Sequence, residues 1–423
     1  MRYVIIGNGV AGINAAGEIR RFDSSADISI VSSESDHFFS RTALMYVFCG
    51  QLSERDVEPF ERDHYQRMNY TRVRDRVTGL DSGAKRLKLE SGKSLEYDRL
   101  LIASGSLASE GKYPGADLDG VGYFVTRQNL EWLQDYAKNS RRAVVIGGGL
   151  IGIEALEVLH LAGLEVTFLV RERHFWPVAF SKLEGDMVCA HVSAHGCNVI
   201  LADETAEILG KDGKVCGVRT SSGRSIDADL ALFSIGVRPQ TEFLRDSGLV
   251  FDETGGITVD ENLRTNLPHV WAAGDCTSVV WFNGVRRPEQ LWYTGRDQGI
   301  AAGRNMATGE DRQTPYRRGT FYNSAKFFDI EYTTAGYVNF GFDGERNWYQ
   351  REPGTNISQR ITYLPDGTVI GFNMLGSRWD HVPLVRWVEE KRKLEWVLER
   401  LGQAAFDEEF MRKFKVFTPA PGA

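Results

Sequence analysis

Two stretches of the chain repeat one pattern of apolar and polar positions. Tyr3–Ile6 is a β-branched and aromatic run that leads into Gly7-Asn8-Gly9-Val10-Ala11-Gly12, an alanine-rich stretch to Arg21 and a second apolar run, Ile28–Val31. The same order returns at Ala143–Ile146, then Gly147-Gly148-Gly149-Leu150-Ile151-Gly152, a helical stretch to about Ala162 and the run Glu165–Val170. Short unbroken apolar runs joined through glycine turns to helical stretches predict parallel strands buried on both faces. After Thr314-Pro315 this grammar stops. Phe321–Tyr337 and Gln359–Met374 predict antiparallel strands, with Asp366-Gly367 as a hairpin turn, and Val382–Leu401 has helical periodicity.

The glycine spacing carries chemistry. Strand, GxGxxG, helix, strand and then an acid, here Glu34, is the dinucleotide-binding arrangement. Gly7 permits the tight turn, Gly9 lets the backbone approach a pyrophosphate, and Gly12 lets helix and strand pack closely. The helix start, with Val10 and Ala11, offers unpaired N–H groups and a positive dipole end. In the second unit Gly147, Gly149 and Gly152 repeat these roles, with Leu150 and Ile151 at the helix start. Its closing strand runs into Val170-Arg171-Glu172-Arg173. Val170 stands where an NAD site places its acid, and Arg171 and Arg173 suit a 2′-phosphate, although Glu172 among them suits a hydroxyl. Two dinucleotides are therefore expected, the second of them NADPH in preference to NADH.

From these motifs the chain resembles the pyridine nucleotide-disulfide oxidoreductase superfamily, and within it the rubredoxin, ferredoxin and nitrite reductase flavoproteins and apoptosis-inducing factor. The likeness covers roughly residues 1–330. Tyr97–Ser106 is similar to the strand and turn that pass the flavin, with Ser104 where the family usually has threonine, so Ala103, Ser104 and Gly105 are expected at FAD. Ala231–Pro239, with Gly236, resembles the segment that closes the nicotinamide domain. Val270-Trp271-Ala272-Ala273-Gly274-Asp275 resembles the second FAD motif, which implies that Asp275 accepts a hydrogen bond from the ribityl chain; a helix N-cap is the other reading of that aspartate. Gln290-Leu291-Trp292 open a helix to about Met306 whose start, in the relatives, faces the flavin pyrimidine edge; Trp292 suits a core position equally.

The resemblance also bears on mechanism. Peroxide- and CoA-disulfide-reducing members carry a cysteine where this chain has Arg41, and Arg41 resembles the arginine of the ferredoxin and rubredoxin reductase branch beside the FAD phosphates. The lysine usual five residues later in that branch is Tyr46 here. Glu154 matches a family glutamate near nicotinamide and flavin N5, the alternative being an acid that complements the dipole from the first helical turn. Arg127 resembles an arginine near FAD, or else makes a surface salt bridge.

Composition narrows the reading further. The 423 residues carry a net charge of −7, against a general nucleic-acid binder. Five cysteines, Cys49, Cys189, Cys197, Cys216 and Cys276, form no CxxC pair, so no redox disulfide is expected, and no metal site is indicated. No apolar run approaches the roughly 20 residues of a membrane span, and MRYVIIGNGV reads as a strand rather than a signal peptide, which points to the cytoplasm. The basic cluster Lys391-Arg392-Lys393 reads as a solvated helix face in preference to a docking site, and Ser377–His381 as a packed turn or dimer contact in preference to an acceptor-docking rim.

The expected fold is α/β: two Rossmann-like dinucleotide-binding domains and a C-terminal α+β interface domain. FAD is expected in residues 1–113 and 240–314, NAD(P)H in 114–239, and a dimerising interface in 315–423. The expected activity is hydride transfer from nicotinamide to flavin, then electron delivery to a rubredoxin- or ferredoxin-type iron–sulfur carrier. An oxidase, a quinone or small-molecule reductase, and a redox sensor are the alternatives.

Overall fold

In a computed structural model, residues 1–281, 283–309 and 312–406 are described. They form two compact units: the first from 1–109, 124–134 and 236–318, the second from 110–123, 135–235 and 319 onward.

The first unit is built on a five-stranded parallel sheet in the order Val270–Ala272, Arg99–Ile102, Arg2–Ile6, Asp27–Ser32, Tyr70–Arg74. Ile5 lies between Ile30 and Leu101 in register, and all three are sealed from water, as unbroken apolar runs require. The helix Val10–Phe22 packs against the helix Trp292–Ala307 at backbone distance. A Cβ on Gly299 would stand 2.3 Å from the Ala11 carbonyl oxygen, and one on Gly303 2.5 Å from that of Ala15. Alanines on one helix and glycines on the other thus bring the two axes together.

The second unit repeats the parallel sheet in the order Asn198–Leu201, Glu165–Val170, Arg142–Ile146, Leu230–Phe233, Val121–Gly122. A small antiparallel sheet of Thr205–Lys211, Lys214–Thr220 and Ser225–Asp227 follows its outer strand. The unit also contains an antiparallel sheet in the order Tyr322–Phe327, Ile330–Gly336, Val369–Leu375, Ser358–Tyr363, Arg346–Arg351. Helices His381–Glu389 and Leu394–Arg400 cover one face of it, burying Trp387 and Val397 against Phe372 and Ile361. The ion pair of Arg360 with Glu184, at 2.9 Å, is sealed from water inside this unit.

The C-terminal expectations need three corrections. Arg346–Arg351 is a strand that pattern reading omits, because only Trp348 in it is buried. The single helix over 382–401 is two, broken where Lys391 takes a left-handed φ of +54°. The basic cluster lies in that break: Lys393 Nζ bonds Asp366 at 2.8 Å and Arg392 pairs with Glu390, so it is a bonded corner and not a helix face. The Ser377–His381 segment is a packed turn in which buried Trp379 donates to Ser377 Oγ and Asp380 caps the next helix. Part of the expected interface domain, residues 407–423, lies outside the described residues. Among the described residues no helix is long and apolar enough to cross a membrane.

Candidate functional site

In the first unit Gly7 has φ +109°, a region that side chains disfavour, and a Cβ there would lie 2.1 Å from the Ala103 carbonyl oxygen. The turn is thereby pressed onto Ala103-Ser104-Gly105. Gly12 closes it from behind, since a Cβ there would meet the Gly7 oxygen at 2.0 Å. Gly9 differs from both: no protein atom lies within 4 Å of a Cβ built on it. Gly9 is also the N-cap of a helix with no side-chain cap. The N–H groups that start the helix at Val10 and Ala11 therefore open on a cradle free of side chains, which fits a pyrophosphate.

Glu34 lies two residues beyond the strand Asp27–Ser32 and is held on all sides. Arg41 donates to its two carboxylate oxygens at 2.8 and 2.6 Å, and the Arg127 backbone N–H donates at 3.0 Å. Burial pushes the Glu34 carboxyl up, but the Arg41 guanidinium and the Arg127 N–H outweigh it and hold the group below the ordinary carboxylate range. Arg41 also donates to the Val125 carbonyl at 2.8 Å. The Arg127 side chain forms ion pairs with Glu54 and Glu58.

Asp275 follows the strand Val270–Ala272 and accepts from Ser106 Oγ at 2.6 Å. It precedes a strand, Thr277–Val280, so the N-cap reading fails. Burial pushes its carboxyl up against the opposing pull of Ser106 and Arg41. The Gly274 N–H donates to Gln298 Oε1 at 2.8 Å, and Gly274 faces Ala11. Leu291 caps the helix that begins at Trp292; Trp292 is half-buried beside Arg296, outside the core cluster, and Gln290 is exposed. The first unit thus gathers the first glycine turn, Ala103–Gly105, Glu34, Arg41, Gly274 and Asp275 beyond the carboxyl ends of its parallel strands.

The second unit holds a parallel turn. Gly147 has φ +118° with its would-be Cβ 2.4 Å from the Ser234 oxygen, Gly152 backs onto Gly147, and Gly149 is open. Leu150 and Ile151 start a helix that again lacks a side-chain cap. Arg171 is exposed and pairs with Glu172 at 3.1 Å and Glu204 at 3.9 Å; Arg173 is exposed as well. Glu154 is the fifth residue of its helix, because Leu150 and not a residue after Gly152 begins it. The first-turn dipole reading is corrected accordingly. Burial, with the charge of Glu157 added, pushes its carboxyl up to about 7. Gly236 has φ +106° and falls in the first unit, its carbonyl accepting from the Ser109 N–H at 2.9 Å.

Pattern reading missed Ser106, Gln298 and Gly148. The first two act through hydrogen bonds between segments far apart in sequence, which no local pattern marks. Gly148 looks like a spare glycine, yet a Cβ there would lie 2.5 Å from Val170. Cys276 is sealed from water, and burial pushes its thiol up.

Residues 1–299 match the profile of the pyridine nucleotide-disulphide oxidoreductases. The chain is 30% identical over 277 residues to a nitrite reductase [NAD(P)H] of Bacillus subtilis, covering 64% of this chain and 34% of the relative. It thus spans about a third of the length of that relative. A ferredoxin–NAD(P)(+) reductase of a Sphingomonas species is 29% identical over 403 residues, 93% of this chain and 94% of the relative. The structure of an NAD-dependent persulfide reductase from A. fulgidus superposes with a TM-score of 0.85 at 24% identity, covering 94% of this chain and 79% of that one; this likeness shows the fold alone. Two Rossmann-like sheets with uncapped glycine turns define a dinucleotide-binding architecture. The chain belongs to the pyridine nucleotide-disulphide oxidoreductase family, for which FAD and NAD(P)H are the typical cofactors.

Proposed function

We propose that this protein is an NAD(P)H-dependent FAD reductase that delivers electrons to a separate iron–sulfur carrier of the ferredoxin or rubredoxin class, with no redox-active cysteine. The observation that carries the reading is Arg41. The position at which thiol-using relatives place a cysteine holds a guanidinium bonded to Glu34. Cys276, beside Asp275, is a buried thiol held in its neutral form. Support for the partner class comes from the Sphingomonas ferredoxin reductase, which matches this chain nearly end to end.

In this reading the first unit binds FAD and the second NAD(P)H. Bound FAD supplies the ability to accept a hydride and release its electrons singly. The chain's own residues do the rest. Gly7, Gly9 and Gly12 shape the pyrophosphate cradle, Glu34 offers its carboxylate to ribose hydroxyls, and Arg41 offsets phosphate charge. Asp275 receives a ribityl hydroxyl. Glu154, whose carboxyl burial pushes up to about 7, would share a proton at the nicotinamide side. Arg171 and Arg173 favour a 2′-phosphate, and the C-terminal sheet and helices supply the homodimer contact.

Anaerobic stopped-flow reduction by NADH and NADPH separately, followed by mixing with a ferredoxin and a rubredoxin, tests this. Fast bleaching by NADPH and carrier reduction faster than reoxidation by oxygen are expected. Reduced protein that reoxidises in air faster than it reduces any carrier would leave an oxidase instead. Slow bleaching with a persistent long-wavelength band would leave a redox sensor.

A further inference from the structure

We propose that His191, His195 and Asp329 of the second unit form a binding site for one divalent transition-metal ion, of which zinc is the type. One potential ligand atom from each residue lies within 4.8 Å of the others. The helix Lys182–Ala194 carries His191 in its last turn, and His195 is its C-cap. The i, i+4 spacing sets both imidazoles on one face, with ring centroids 4.5 Å apart.

The nitrogens that do not face the cluster fix the tautomers. His195 Nδ1 lies 3.0 Å from the His191 carbonyl oxygen, which can only accept, so Nδ1 carries the proton and Nε2 keeps its lone pair. Ligating histidines are commonly oriented by this kind of bond. His191 Nδ1 lies 2.9 Å from the Asn356 side-chain amide, while its Nε2 bonds Asp329. Turning that amide end for end lets its oxygen accept from Nδ1–H of the neutral ring and leaves Nε2 for a metal.

Asp329 is held as firmly. It shares with Phe328 the two-residue turn between the strands Tyr322–Phe327 and Ile330–Gly336. Phe328 adopts φ +56°, a conformation uncommon for a bulky residue. Its N–H donates to Glu157 at 3.0 Å, and its ring stacks on His195 with centroids 4.4 Å apart. Two anchors on Phe328 therefore aim the Asp329 carboxylate at the histidine pair.

Two imidazoles and one carboxylate suit zinc, cobalt, nickel or copper and disfavour magnesium and calcium, which need oxygen donors. Tetrahedral zinc sets its ligand atoms about 3.3 Å apart, so the widest separation in the cluster has to tighten by about 1.5 Å. The His191 side chain is 9% exposed and that of Asp329 78%, so the fourth position opens to water. Bound metal would tie the helix to the strand pair.

The test is calorimetric titration of chelator-treated, FAD-loaded protein with zinc chloride, alongside thermal unfolding with and without zinc. One ion per chain and a raised Tm are expected, with no response to magnesium. H195A and D329N, made singly and together, should each weaken zinc roughly tenfold or more and remove the Tm rise. Their Tm without zinc and their flavin content show whether they remain folded; if H195A does not, H195Q replaces it. Zinc binding and stabilisation unchanged in the folded double variant, or absent from the unaltered protein, would overturn the site.

Discussion

The two glycine turns share a backbone and differ in what surrounds it. Gly7 and Gly147 have nearly the same φ, Gly12 and Gly152 close the turns alike, and Gly9 and Gly149 leave the same open cradle. At the first turn the acid beyond the second strand is clamped by Arg41 and Arg127. At the second, Arg171 leans out on Glu172 and Glu204 at 69% side-chain exposure. Pre-oriented polar groups lower the ordering cost of binding, whereas exposed side chains must be ordered each time. In the proposed reading, one backbone device would serve a resident cofactor in the first unit and an exchanging nucleotide in the second.

Exchanging one glycine in each turn should break that comparison hardest. G7A forces a Cβ onto the Ala103 oxygen at a left-handed φ, and a loss of about 3 kcal/mol or more is expected, read as flavin-free protein with a lowered Tm. G147A should keep flavin and lose nucleotide binding. Equal flavin loss in both would remove the division of labour.

A second contrast lies between two carboxylates. Glu34 is held low by Arg41, while Glu154, with no cation bonded to it, is pushed up to about 7 from 4.5. A carboxyl whose folded value is raised binds more protons folded than unfolded, so stability falls as pH rises from about 4.5 to 7 and then levels. E154Q should remove that loss, about 3 kcal/mol at pH 8 and nothing at pH 4, measured by denaturant unfolding. E34Q should act oppositely: Glu34 adds stability above its unfolded value that vanishes in acid, so the variant should be weaker at pH 7 and lose the difference as pH falls through the carboxylate range.

Smaller effects sharpen the picture. If Arg171 meets a 2′-phosphate as proposed, R171A should raise KM for NADPH about tenfold and leave that for NADH within about twofold. C49S should leave the rate of flavin reduction within about twofold, since no thiol chemistry is assigned to it.

The strands and both glycine turns were legible because unbroken apolar runs and GxGxxG each have a local physical cause. Glu34 was legible by its distance from the turn, but its clamp was not, since the Arg127 contact spans 93 residues. The Ser106–Asp275 bond spans 169. Pattern fails for another reason in Arg346–Arg351, where one buried side chain gives no period to read. At Lys391 nothing in Lys-Arg-Lys announces a left-handed residue; the corner is fixed by Asp366, which lies 27 positions before Lys393.

The close seam of Ala11 and Ala15 with Gly299 and Gly303 joins residues from opposite ends of the first unit. During synthesis the first helix emerges early and waits while the ribosome makes the intervening hundreds of residues. Its alanine face meets its partner only once Gly303 has left the exit tunnel. A chain truncated before Trp292 would lack the partner of that alanine face and leave it uncovered.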